Sequence, residues 1–254
     1  MKSYPLISWL ACVALEGLLL VRAWTGKWLR KYPFFFSYVT CVFIQDIFLL
    51  AIYVFKFNYY KQLYWYGEFF SLLIGCGVSW EIFRLVLGRY PGAGRMARNV
   101  LLVVLIMVST KGFGNAWNGE VPWQTAAIEL ERNLRAIQAL SLIVLSVLTL
   151  YYAVPISRNV KGIFIGYGLF IATSVVTLTL RASLGLAFQT AWVFLQPLSY
   201  AAVLGIWCTS LWKYGPALTP EFQPQIEEDY QALAVVTRKG LLHARAFLGK
   251  AMRP

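Results

Sequence analysis

YWYGEFFSLLIGCGVSWEIFR, residues 64–84, is the stretch on which the fold class turns. It is apolar and aromatic over the length that crosses a bilayer, about 20 residues at about 1.5 Å rise each. It nevertheless carries Glu68, Glu81 and Arg84. Either a membrane helix overhangs into water at both ends, or its charges have partners and a task inside.

The rest of the chain repeats the pattern. Of 254 residues, 59% are hydrophobic and only 13% charged, against about 25% charged in a soluble domain. The excess falls into long apolar runs separated by short basic connections. This predicts an all-α polytopic membrane protein, a bundle of seven transmembrane helices. The spans run about Leu6–Trp24, Phe34–Phe55, Tyr66–Gly88, Ala97–Phe113, Ala136–Val154, Gly162–Leu184 and Thr190–Trp212. The fourth has the shortest apolar part, so six helices with a buried fourth segment is the competing count.

The net charge of +12 does not point to nucleic acid, because Lys and Arg gather where apolar runs end, as topology determinants do. Lys27, Arg30 and Lys31 follow span 1, Arg89, Arg95 and Arg98 follow span 3, and Arg158 and Lys161 follow span 5. These segments belong on the cytoplasmic side, which puts the N-terminus out and the C-terminus in. No cleavable signal is expected, since Glu16 interrupts the first run and no small-residue site follows it. The chain divides into a transmembrane domain, residues 1–213, and a cytoplasmic tail, residues 214–254. Residues 226–252 of the tail fit a basic amphipathic helix with a stripe of Tyr230, Leu233, Leu241, Leu248 and Met252. Such a helix lies on the anionic inner leaflet or docks a cytoplasmic protein partner.

Ionisable groups at membrane depth are costly and mark functional candidates. Glu16, Asp46 and Glu81 come from three consecutive spans at comparable depth. Were they to converge, at least one would carry a proton and donate a hydrogen bond. A cluster of that kind binds a cation, relays protons or locks helices together. Arg84 lies three residues beyond Glu81 on the same face, so a Glu81–Arg84 ion pair is the simple account of half the opening stretch.

A second set sits at the outer boundary. Glu68 opens span 3, Arg181 lies near the outer end of span 6, and ELERNLRAIQ, residues 129–138, leads into span 5. Glu131, Arg135 and Gln138 share one helical face; Glu129, Arg132 and Asn133 share another. The plain expectation is that these turns project beyond the bilayer. The sharper one is a ligand-binding pocket lined by Glu68, Glu129, Arg132, Arg135, Arg181 and Gln196, since Arg suits bidentate recognition of carboxylate or phosphate.

Absences narrow the field. His243, in the tail, is the sole histidine, which excludes two-histidine haem ligation, histidine-based metal sites and a serine–histidine–aspartate triad within the membrane. No span has a central lysine for a retinal Schiff base, and no phosphate-binding glycine loop appears. Cys12, Cys41, Cys76 and Cys208 all lie in apolar runs without a CxxC pair, as buried thiols acting as small hydrophobes do. No metal, cofactor or catalytic residue is expected.

YPFFFSY (32–38), YWYGE (64–68), EIFR (81–84), YPG (90–92), LERNLRAIQ (130–138) and QPLSY (196–200) together resemble a group of uncharacterised bacterial seven-helix integral membrane proteins. The resemblance implies seven spans and a bacterial inner membrane and carries no functional residue across. In helix count and orientation alone the chain is also similar to the seven-helix sensor regions of bacterial signalling proteins, without their output domains. The expectation is a non-enzymatic, receptor- or sensor-like module that binds a small ligand at the outer helix ends and signals through its tail. A proton- or cation-coupled transporter built on the mid-membrane carboxylates, a structural subunit of a larger complex, and a homo-oligomer are the alternatives.

Overall fold

Long apolar runs leave their own backbone as the only source of hydrogen-bond partners, so they fold as helices. The computed structural model describes residues 3–55, 60–88, 90–117, 123–184, 186–213, 228–232 and 234–235. Every regular element among them is helical: α1 (Ser3–Thr25), α2 (Pro33–Phe55), α3 (Tyr60–Val86), α4 (Pro91–Trp117), α5 (Trp123–Tyr151), α6 (Arg158–Leu184) and α7 (Leu186–Leu211), with a short 3-10 turn at Trp28–Arg30. Pro33 and Pro91 stand at the first position of α2 and α4, where the missing N–H costs no bond. Of the helix expected over 226–252, residues 228–232 and 234–235 are helical; the remainder lies outside the described residues.

Judged on their described residues, five segments are long and apolar enough to cross a membrane: Ile7–Thr25, Pro33–Ile52, Leu130–Tyr151, Arg158–Thr177 and Phe194–Leu211. Their outward faces are apolar, with Val21, Phe48, Leu140, Ile143, Val147, Leu150 and Leu198 all exposed. Such a surface suits contact with lipid chains rather than water. The fourth segment is one continuous helix of 27 residues, longer than its apolar part alone would indicate.

Sequence neighbours pack side by side, and α1 closes the ring against α7. Helix α3 packs against α2, α4, α5 and α6 together, so the opening stretch is the bundle's central post. That position accounts for its composition. Gly75 leaves no room for a Cβ, which would stand 2.8 Å from the Tyr167 hydroxyl, and a Cβ on Gly77 would stand 2.5 Å from the Phe34 ring. Glycines 162 and 166 of α6 perform the same service toward α7, facing Ser210 and Trp207. Without a hydrophobic force between helices in lipid, such close backbone approach is a main source of association. The large buried side chains Phe35, Phe36, Ile82, Tyr167, Leu204 and Trp207 fill the space between.

Candidate functional site

Among the described residues, two groups of buried polar side chains differ in what satisfies them. The first is built on α5. Leu130 and Leu134 are buried, which turns the face carrying Glu131, Arg135 and Gln138 inward and leaves Arg132 and Asn133 exposed. Arg135 is only 6% exposed. Its Nε donates to Glu131 Oε1 at 2.9 Å, Nη1 donates to Ser174 Oγ at 3.4 Å, and the guanidinium lies 5.4 Å from the centre of the Phe170 ring. A buried guanidinium held by a carboxylate, a hydroxyl and an aromatic face is a desolvated, compensated charge. One turn deeper, Gln138 Nε2 donates to Cys76 Sγ at 3.1 Å, while its Oε1 is buried with no donor. The Tyr167 hydroxyl donates to the Gly75 carbonyl at 2.7 Å, pinning α6 to the central post.

The second group is built from α1, α2 and α7. Glu16 is fully buried. Its Oε1 accepts a 2.6 Å hydrogen bond from the Tyr200 hydroxyl, whereas its Oε2 has no hydrogen-bond partner. Asp46 stands near enough for its charge to act on Glu16. Phe170 joins the two groups: the Arg135 guanidinium faces its ring, and its centroid is 5.9 Å from that of Tyr200 and 6.0 Å from that of Tyr38.

Glu81 does not join the other two carboxylates. Its Oε2 accepts the backbone N–H of Phe35 at 2.8 Å, and the N–H of Phe34 also faces it. Asp46 lies eleven residues further along α2, about 16 Å at 1.5 Å per residue. Glu81 is therefore a cap supplied by one helix to the start of another. Helix α2 has no acidic residue in its first turn, and its unpaired N–H groups and dipole favour an anion there. The Glu81–Arg84 pair exists, with Arg84 Nη2 3.7 Å from Glu81 Oε1, but the arginine side chain is 48% exposed. That distance is too long for a hydrogen bond, so the short bonds of Glu81 go to α2.

Of the predicted pocket residues, Arg135 is buried, while Arg132 and Gln196 are exposed. The side chains of Glu68, Glu129 and Arg181 lie outside the described residues. None of the three described ones, Arg132, Arg135 and Gln196, lines the open groove of about 380 Å³ beside α2, which is formed by Leu29, Ser37, Thr40, Cys41 and Ile44. Sequence reasoning passed over Tyr200 and Asn159. Asn159 Nδ2 donates to the Ser210 and Lys213 carbonyls at 2.8 and 3.0 Å, and Arg22 Nη2 donates to the Trp212 carbonyl at 2.8 Å. Together they close the C-terminal end of α7. A lone asparagine at the entrance of an apolar run, and an arginine at the end of another, were the available signals. Comparison with models of protein families, with curated proteins and with solved structures found no match.

Proposed function

We propose that the chain is a seven-span protein of a bacterial inner membrane, N-terminus out and C-terminus in, that works as a receptor-like module. A small anionic ligand, a carboxylate or phosphate, engages the outer ends of α3, α5, α6 and α7. A shift of α5 then carries the event to the cytoplasmic tail. The orientation draws on Lys27, Arg30, Lys31, Arg158, Lys161 and Lys213, which stand at the end of the bundle where α1, α5 and α7 finish.

One observation carries the sensor reading: a single helix touches both working parts. Helix α5 holds the buried Glu131–Arg135 pair toward one end, and just past its other end the Tyr152 hydroxyl donates to Asp229 Oδ2 of the tail at 2.8 Å. A rigid helix displaced at one end moves at the other, and this continuity supports coupling between the two sites.

The test needs no identified ligand. In the full chain in nanodiscs, Arg135→Gln is expected to raise amide exchange across residues 228–235 at least severalfold, and Tyr152→Phe to remove that response. Exchange in the tail that is indifferent to Arg135→Gln would count against the reading. A panel of small carboxylates and inorganic phosphate, read by the same exchange, then identifies the ligand class.

A further inference from the structure

We propose that Glu16 is a mid-membrane proton-binding site, completed by Tyr200 and opened by movement of α7 against α1. This stands on a different helix pair from the sensor reading and does not depend on it. The side chain is wholly buried. A carboxylate anion placed there keeps one hydrogen bond, from Tyr200, and has an oxygen with no donor at all. A lone carboxylate inside a bundle costs several kcal/mol unless a cation or a proton compensates it.

Among the described residues, the groups named around Glu16 include no cation. On α1 its neighbour is Cys12; on α2 Asp46 adds charge of the same sign; on α7 Tyr200 donates. Tyr38 of α2 and Tyr200 both pack against the Phe170 ring. The nearest buried cation described above, Arg135, stands across the Phe170 ring and is held by Glu131. A proton on Oε2 removes the charge without requiring any side chain to move.

The release route is built into α7. Pro197 lies inside the helix, three residues before Tyr200, and its missing N–H frees the carbonyl of residue 193 and weakens the helix there. Cys12 Sγ, 3.7 Å from the Pro197 carbonyl, is its contact on α1. Bending at Pro197 separates Tyr200 from Glu16 and admits water. The O–H bond of the carboxyl then breaks and the proton passes to that water. Straightening reverses the exchange.

Infrared spectroscopy of the full chain in nanodiscs reads the site directly. At neutral pH the wild type is expected to show the carbonyl-stretch band of a protonated carboxyl. Glu16→Gln should abolish it, Asp46→Asn should leave it in place, and Tyr200→Phe should shift it upward as its hydrogen bond is lost. Absence of the band in the wild type, its persistence in Glu16→Gln, or its loss on adding sodium ions would overturn the proposal, the last in favour of a cation site. Should Glu16→Gln fail to fold, an unmoved band in Tyr200→Phe overturns it equally.

Discussion

Glu81 on α3 accepts the backbone N–H of Phe35, in the first turn of α2, at 2.8 Å. A side chain that reads as an intramembrane acid thus acts as the capping group of a neighbouring helix. The capped turn begins at Pro33 and follows Tyr32, so it has no Ser, Thr, Asp or Asn of its own to satisfy its free N–H groups.

Removing that acceptor leaves buried donors unpaired. Glu81→Ala is expected to destabilise the chain by about 1–3 kcal/mol, and Glu81→Gln, which keeps an acceptor oxygen, by clearly less. Arg84→Ala should cost under about 1 kcal/mol, because its pair is long and solvated. Thermal unfolding in detergent compares the three; an Arg84→Ala effect equal to that of Glu81→Ala would contradict the capping role.

The α6–α7 contact separates two glycines of one helix. A Cβ on Gly166 would lie 2.3 Å from Trp207 Nε1, while one on Gly168 meets nothing within 4 Å. Gly166→Ala should cost about 1–3 kcal/mol through overpacking. Gly168→Ala should be neutral or slightly stabilising, since alanine favours the helix. Similar melting temperatures for both variants would mean that α6 and α7 do not pack this closely.

Arg132 and Arg135 sit three residues apart on α5, the first exposed and the second buried. Arg135→Ala strands Glu131 in a partly buried position and is expected to cost about 3 kcal/mol. Arg132→Ala, on the exposed face, should stay within about 0.5 kcal/mol. Chemical denaturation in mixed micelles distinguishes them, and parity between the two would remove the case for a buried pair.

The contact between α5 and the tail titrates. The bond to Asp229 is the main cause holding the Tyr152 hydroxyl above the ordinary tyrosine value, with its slight burial and the Asp229 and Tyr151 charges adding to it. A group raised on folding contributes stability that is fully present below the ordinary value, about 10, and lost as pH rises through the raised one. Asp229→Asn should therefore let Tyr152 ionise earlier. The ultraviolet absorbance of tyrosinate, with Tyr152→Phe as the blank, measures this; an unchanged titration would mean that the two side chains do not meet in solution.

The sequence discloses class and helices well, and partners poorly. Periodic apolar runs place the helices, although each of α1, α3, α4 and α5 extends past its apolar part, because backbone hydrogen bonding continues where hydrocarbon ends. Spacing in residues 129–138 groups Glu131 with Arg135 and Gln138 but does not say which polar face turns inward; the burial of Leu130, Leu134 and Arg135 decides that. Glu81 was legible as buried but not as a cap, since its partner is a backbone N–H 46 residues away that no side-chain pattern encodes. Tyr200 was invisible as the partner of Glu16 for a similar reason: 184 residues separate them, and a tyrosine in an apolar run looks like filling.

That α1 packs on α7 has a consequence for biogenesis. Helix α1 is synthesised before α7, so Glu16 is made 184 residues ahead of Tyr200, the residue that meets it. The Arg22 bond to the Trp212 carbonyl forms at the same late moment. Until α7 is in place, Glu16 therefore lacks the one hydroxyl that satisfies it in the finished bundle.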